Sequence, residues 1–330
     1  MGDAAREAVG VSILVVTRDR RGELDRLLAS LRALEYPADR LEIVVVEETD
    51  DPRPMPGVHY ISIPRRDRGL GSARNLAVAA ARHDVLAFTD DDCIVTPGWL
   101  RELTAPLAAA EVGGVAGAVL VRDTTPVGFA ENALGFPGGG LRYLVAAKDK
   151  PVPTTYASTC NCCYRKAAVL EAGGFDEGAR LGGEDSLLAA RIAARHRLLY
   201  APRAIVYHRA RGSLAGVFRW FIRRGAAEVD AAALAPDPAA ARREMVRASL
   251  GLKAAASAAA LLALRLPLFP AAAVLAAGYY GWTAWRYRYG GRYYRDPAVV
   301  AVTPLVKVAM DLGADLGRLQ RLLRGLLRGR

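Results

Sequence analysis

The sequence predicts an α/β protein: a mixed, mainly parallel sheet flanked by helices, followed by a helical C-terminal segment. Three observations carry this reading. Short runs at Val11–Val16, Leu41–Val46 and Val85–Phe88, apolar but for Ser12 and Glu42, each run straight into polar or acidic residues, the pattern of strands buried on both faces. Between the first two, Leu24, Leu27, Leu28, Leu31 and Leu34 recur at helical spacing, so the order is strand–helix–strand, which joins parallel strands through a right-handed crossover. Beyond about Met245 the strand pattern gives way to alanine and leucine.

Taken in order, residues 1–10 form a polar N-terminal tail without the apolar core of a signal peptide, so the sheet domain is expected to face the cytoplasm. The first strand, from Val11, ends in Thr17-Arg18-Asp19-Arg20, and the helix after it stops at Pro37. The second strand ends in Glu47-Glu48-Thr49-Asp50, and the proline-rich Asp51–Pro56 is a loop. His59–Ile63 is a short strand. Ser72 is placed to cap a helix through Ala81, which delivers the chain to the Val85 strand. The run Asn132–Pro153, rich in glycine, proline and lysine, reads as a mobile loop. Ala157–Tyr164 is a strand, and Lys166–Ala172 is a short helix ended by Gly173-Gly174. Gly182-Gly183 precede Glu184-Asp185, which open an amphipathic helix to about His196. Ala204–Tyr207 is a last strand, ending at His208. The expected boundaries are 1–10 for the tail, 11–230 for the sheet domain and 231–330 for the helical region.

The net charge of +11 is unevenly placed: residues 1–240 hold 30 Lys/Arg against 30 Asp/Glu, and residues 241–330 hold 15 against 4. The basic excess therefore belongs to the helical tail, where it suits an anionic membrane face. It lies beside apolar runs and not in a groove interleaved with aromatics, so nucleic acid is not an expected partner. The four cysteines (Cys93, Cys160, Cys162 and Cys163) lack the second paired cluster of a structural zinc site and read as reduced, buried thiols.

Asp90-Asp91-Asp92 directly follow the Val85 strand. Ligands of open α/β sheets collect at such carboxyl ends, and three adjacent carboxylates repel unless a cation offsets them. Oxygen ligands of this kind suit Mg²⁺ or Mn²⁺, which bridge carboxylates to substrate phosphates.

The order of these features resembles the inverting, family 2 type glycosyltransferases with the GT-A fold, over roughly residues 10–225. The matching pieces are the opening strand with Thr17, Glu47 at the end of the next strand, Gly69-x-Gly71-x-Ala73-Arg74-Asn75, and Asp90-x-Asp92 with Pro97-Gly98-Trp99-Leu100. Gly173-Gly174-Phe175-Asp176-Glu177, Glu184-Asp185 and His208 follow in the same order. Glu47 departs from the aspartate usual in the family. The resemblance implies transfer of a sugar from a nucleotide-diphosphate donor to an acceptor hydroxyl of a glycan or lipid-linked molecule, assisted by a divalent metal. It assigns Asp92 and His208 to the metal and Asp90 to ribose or metal. Asp185 becomes the general base, and Glu184 the residue that orients the acceptor or the helix. Thr17, Arg18, Glu47, Asp67, Arg74 and Asp91 fall to the donor, and Trp99 and Trp220 to the acceptor. Arg66 carries the same kind of expectation as Asp67, and Arg165 reads as either a phosphate contact or a structural residue. Processive relatives carry Gln-x-x-Arg-Trp, but here Gly216 precedes Arg219-Trp220, which points to addition of one or few sugars. A nucleotidyltransferase has a similar acidic site but no use for the Glu184-Asp185 base. Intact acids argue against a non-catalytic, decayed fold.

In the tail, Ala254–Leu264 is Ala/Leu-rich and Leu266–Trp285 is largely apolar over twenty residues. Tyr279, Tyr280, Trp282 and Trp285 stand near its end, followed by Arg286, Arg288, Arg292 and Arg295. This is the composition of a membrane-associated segment: either a hairpin turning near Arg265-Leu266-Pro267 or helices lying on the cytoplasmic face of the cell membrane. Leu312–Leu327 adds a basic amphipathic helix.

Overall fold

A computed structural model describes residues 8–65 and 69–328. In chain order the elements are β1 (Val11–Thr17), α1 (Arg21–Arg32), β2 (Leu41–Glu48), β3 (His59–Ile63), α2 (Leu70–Ala80), β4 (Val85–Thr89), β5 (Cys93–Val95), α3 (Trp99–Thr104) and β6 (Val112–Leu120). Next come α4 (Pro126–Ala133), α5 (Gly140–Ala147), β7 (Val152–Thr154), β8 (Asn161–Arg165), α6 (Lys166–Glu171), α7 (Glu184–Ala193) and β9 (Arg197–His208). The tail holds α8 (Leu214–Leu234), α9 (Pro238–Ala248), α10 (Leu250–Ala263), α11 (Leu268–Arg286), α12 (Tyr289–Tyr294) and α13 (Pro297–Arg328).

The strands form one mixed sheet in the order β3-β2-β1-β4-β8-β6-β9-β5, with β7 on β9. β3, β2, β1 and β4 are mutually parallel, in register Val11↔Leu41 and Val11↔Val85, and β8 is antiparallel to both β4 and β6. β1 and β4 are buried on both faces and, apart from Ser12, Thr17 and Thr89, apolar. Leu24, Leu27, Leu28 and Leu31 of α1 cover one face, and Ala73, Ala77 and Val78 of α2 lie on the other. Helices on both faces are what an uninterrupted apolar strand requires.

Two compact units result. Residues up to Leu120 together with Gly138–Arg209 make the first, and Val121–Pro137 with the residues from Ala210 onward make the second. The second is built on α8 against α13, with Val217, Phe221, Val299, Val306 and Met310 in its core. Gly225, Gly313 and Gly317 let the two backbones approach until a Cβ on Gly225 would strike the Ala314 carbonyl. Glu228–Arg318 at 2.6 Å and Asp230–Arg321 at 2.6 Å tie the same pair. The boundary expected at 230 thus falls inside α8.

Several local expectations are corrected. Ser72 does not cap α2; the helix starts at Leu70 behind Gly69, whose φ of +87° lets the chain turn sooner. Asn132–Pro153 is not a loop throughout: it holds the end of α4, α5, and the start of β7. Its glycines, including Gly138 and Gly139 with φ of +58° and +90°, sit between the helices. The Ala157 strand shortens to β8, and the last strand extends back to Arg197 across a register shift at Gly117/Ala118 of its partner β6. Among the described residues no single helix is long and apolar enough to cross a membrane; only α9 with α10, bent by 60°, reach that composition together.

Candidate active site

The site sits at the carboxyl ends of β1, β2 and β4, where the parallel strands stop and their last side chains meet. β4 delivers Asp90–Asp92, and β5 turns back antiparallel to β9 with Cys93 opposite His208. That pairing, reinforced by the Arg209 N–H donating to the Asp92 carbonyl at 3.0 Å, brings His208 Nε2 to 3.2 Å from Asp92 Oδ1. His208 Nδ1 lies 2.7 Å from the Arg209 carbonyl. A carbonyl can only accept, so Nδ1 carries a proton, and Nε2 faces the carboxylate either as an N–H donor or, in the neutral ring, as a second acceptor. Two acceptors that close need a proton or a cation between them. A backbone carbonyl orienting the ring in this way leaves Nε2 able to hold a metal ion. Asp92, Cys93 and His208 offer ligand atoms within 4.8 Å of one another, but Cys93 is buried and burial raises its thiol well above the ordinary range. Its Sγ lies 3.8 Å from the Cys160 carbonyl inside the apolar core, so it packs as a core thiol.

Each acid of the triplet has its own surroundings. Burial pushes the Asp92 carboxyl up, but His208 and Arg20 overcome this and hold it below the usual range. Arg20 Nη2 lies 2.7 Å from Asp92 and Nη1 2.8 Å from Asp91. Asp91 is buried, and the Thr17 hydroxyl donates to it at 2.6 Å; desolvation lifts its carboxyl to about 6. Asp91 and Thr17 therefore serve each other inside the protein and do not face a donor. Asp90 is partly open and lies 3.5 Å from Arg74. Enclosure raises its pKa, against the pull of Arg74 and with the like charges of Asp92 and Asp185.

Arg74 links the triplet to α7. It is buried, paired with Glu184 Oε1 and set 5.7 Å from the Phe175 ring. Glu184 is itself buried, with Oε2 lacking a hydrogen-bond partner; burial raises its carboxyl, with Arg74 opposing and Asp185 adding to the rise. Asp185 is half-exposed at the first turn of α7, and its Oδ1 accepts from the Ser186 N–H at 2.7 Å. Gly183, at φ +94°, admits the chain to this helix, whose N-terminus favours negative charge.

The Gly69-x-Gly71-x-Ala73-Arg74-Asn75 run now has a physical explanation. Gly71, Arg74 and Asn75 share one face of α2 and dock on the Phe175–Arg180 segment. A Cβ on Gly71 would lie 2.5 Å from the Asp176 carbonyl. Asn75 brackets Phe175, accepting from its N–H at 2.8 Å and donating to its carbonyl at 2.9 Å.

Other expected residues land elsewhere. Trp99 is fully buried, its Nε1 donating to Asn161 at 2.8 Å; with no exposed surface it cannot receive an acceptor. Glu47 is buried with its carboxylate taken by Arg21 and by the Tyr60 hydroxyl at 2.6 Å, so it is not presented to a nucleobase. Arg18 pairs with Glu48 at 2.5 Å. Arg165 is structural, donating to the Val112 and Ala109 carbonyls at 3.0 and 3.3 Å. Trp220 belongs to the second unit, where Arg211 stacks 4.2 Å from its ring and Phe136 lies 4.6 Å away. Asp67 and Arg66 lie outside the described residues. Sequence reasoning missed Arg20 and Arg21, whose signal was their place between a buried strand's end and a helix start.

Residues 12–171 match the model of a family described as Glycosyl transferase family 2. The chain is 30% identical over 207 residues to a pre-mycofactocin glycosyltransferase of Mycobacterium tuberculosis, covering 62% of this chain and 43% of that one. It is 28% identical over 213 residues to the succinoglycan biosynthesis protein ExoO of Rhizobium meliloti, covering 57% and 58%. The chain thus spans about half the length of these relatives. The mannosyltransferase PcManGT of Pyrobaculum calidifontis, solved with GDP-Man and Mn²⁺, superposes with a TM-score of 0.62 at 22% identity over 95% of this chain and 88% of its own. That likeness shows the GT-A fold.

Proposed function

We propose, on the premise that the chain belongs to glycosyl transferase family 2 through residues 12–171, that it transfers a sugar from a nucleotide-diphosphate donor to an acceptor hydroxyl with inversion at the anomeric carbon. The observation that carries the reading is the Asp92–His208 contact at 3.2 Å beside Asp90, with Asp185 near enough to raise the pKa of Asp90. The names of the two relatives, a glycosyltransferase and a glycan-biosynthesis protein, support a sugar transferred to an acceptor such as a glycan, and Gly216 in place of the processive glutamine supports addition of one or few sugars. Asp92 and His208, with Asp90 adjacent, would hold a divalent cation supplying Lewis-acid stabilisation of the diphosphate leaving group. An imidazole among carboxylates favours Mn²⁺ over the harder Mg²⁺.

The remaining chemistry belongs to the chain. Asp185 takes the proton from the acceptor hydroxyl, whose oxygen forms the new bond to the anomeric carbon as the bond to the diphosphate oxygen breaks. Attack from the face opposite the departing group inverts the configuration. Arg74 holds Glu184, and through it the start of α7, so that Asp185 keeps its position relative to Asp90. Arg74 thereby acts as a positioning residue.

The test is a panel of nucleotide-diphosphate sugars with the purified chain, scoring release of nucleoside diphosphate with Mn²⁺, with Mg²⁺ and with chelator. Metal-dependent release from one donor, and a product of inverted configuration, are expected. Release that chelator leaves untouched would overturn the metal assignment, and retained configuration would overturn the single displacement.

A further inference from the structure

From Gly251 to Trp282 only Leu261 is buried. This segment comprises α10, α11 and their joint, and it is apolar almost all round. Phe269 is 87% exposed and Val274 72% exposed, and Leu262, Leu264, Leu275 and Trp282 are also open. An apolar helix packs its surface in a core or in lipid. Here the mount is visible and the cover is not. The start of α10 is held to α13 by the Gly251 N–H donating to Asp315 at 2.8 Å, and the end of α11 by the Tyr280 hydroxyl donating to the Ala301 carbonyl at 2.6 Å. Asp315 stands between Leu312 and Leu319 at i,i+3 and i,i+4 spacing, so it shares their face of α13. Leu305, Leu312, Leu319 and Leu326, each seven residues apart, are exposed along that face. The apolar surface of the helix pair therefore continues along α13.

What covers it is indicated by charge and by the gradient along α11. Arg242, Arg243, Arg247, Arg286, Arg288 and Arg292 are exposed around the segment. The four acids beyond residue 240 include Asp311, paired with Lys307, and Asp315, 2.9 Å from Arg318. The unpaired balance is positive, which complements an anionic lipid surface. Along α11 the apolar residues come first, at Leu268–Ala277. Tyr280, Trp282, Trp285 and Arg286 come last, the amphipathic and basic residues of a membrane–water interface. The apolar stretch of α11 before Tyr279 is about 16 Å long, roughly half a hydrocarbon core. Arg265 at the joint makes deeper insertion costly.

We propose that α10 and α11, with the leucine face of α13, form the surface by which this chain sits on an anionic bilayer, sunk into one leaflet without crossing it. The proposal goes beyond sugar transfer and does not depend on it.

The test is flotation of the full-length chain with phosphatidylcholine vesicles and with phosphatidylcholine–phosphatidylglycerol vesicles. The chain is expected to float with the anionic vesicles only and to be released by high salt or carbonate. Phe269→Glu with Val274→Glu, both at open positions, should abolish flotation while leaving the thermal midpoint unchanged. Arg286→Gln with Arg288→Gln should weaken it by roughly tenfold or more. Sugar transfer onto a water-soluble acceptor, read as release of nucleoside diphosphate, should be unaffected in both double variants. Flotation of the Glu variant like wild type would overturn the proposal. So would a discrete dimer without vesicle binding that the same variant splits, which would make the occupant a second copy. Resistance to both salt and carbonate would overturn the one-leaflet arrangement in favour of a true span.

Discussion

Along the strand ends of the first unit, the acids that face no open site are paired within the protein: Glu47 with Arg21 and Tyr60, Glu48 with Arg18, Asp91 with Thr17 and Arg20. Along α10 and α11 of the second unit, large apolar side chains are left with almost nothing against them. The first region spends its internal partners on holding Asp90, Asp92, His208 and Asp185 in place. The second has few internal partners for its apolar helices. A site that must keep its geometry needs rigid, over-determined neighbours. A docking surface needs area that its own fold leaves free.

The largest effect should come from Asp185, the one carboxylate of the cluster that is half-exposed at a helix start. Asp185→Asn removes the proton acceptor and should lower transfer by roughly 10²–10⁴-fold with donor affinity retained, read as kcat falling with little change in donor KM. Wild-type turnover in this variant would place the base elsewhere.

Next comes the pair at the sheet edge. His208→Ala should weaken Mn²⁺ binding by at least roughly 10–100-fold, the cost of losing even an outer-shell partner of a metal ligand. Titration followed by electron paramagnetic resonance of free Mn²⁺ checks this without any turnover. Equal affinity in the two proteins would return His208 to a structural role on β9.

The places of these residues were legible in the sequence, and their roles only through the resemblance: buried parallel strands are apolar on both faces and end abruptly, which marks where Asp90–Asp92 stand and, at the end of the last strand, His208. Asp185 was marked by its glycine pair and helix start. Other features were hidden for physical reasons. Arg20 and Arg21 look like any solvated basic run until folding brings Asp91, Asp92 and Glu47 beside them. Trp99 sits in a segment that resembles a site motif, yet its ring fills the core and its N–H is satisfied by Asn161. The stretch Asn132–Pro153 has a loop's composition, but its glycines break the chain between helices. Ser72 looked like a cap because the left-handed turn at Gly69 cannot be read from residue type alone.

Glycines separate the two regions at the next level of effect. Gly71→Ala adds a methyl 2.5 Å from the Asp176 carbonyl, backbone that cannot swing aside, and should destabilise by about 1–3 kcal/mol in spite of alanine's better helix propensity. Gly281→Ala on α11 meets nothing within 4 Å and should stabilise by about 0.5–1 kcal/mol. Denaturant midpoints of the two variants measured side by side test the contrast; the same sign in both would remove it.

The last effect concerns the other end of the strands. Glu42, at the start of β2, accepts from the Ser12 hydroxyl at 2.5 Å and from the Arg82 N–H at 2.9 Å, so one carboxylate joins β1, β2 and the turn before β4. Burial pushes its carboxyl up, but these hydrogen bonds and the Arg82 charge outweigh it and leave the pKa below its ordinary value. A carboxyl depressed on folding binds fewer protons in the native than in the unfolded state, so its contribution is present above the unfolded pKa and is lost as pH falls through the folded one. Glu42→Gln should therefore cost about 1–2 kcal/mol at neutral pH, and the gap to wild type should narrow as pH drops below the carboxylate range. Unfolding midpoints at neutral and acidic pH measure that gap. A gap that stays constant across both would mean that Glu42 acts by shape and not by charge. Transfer activity should be unchanged in either case, since Glu42 lies at the end of the sheet away from Asp92.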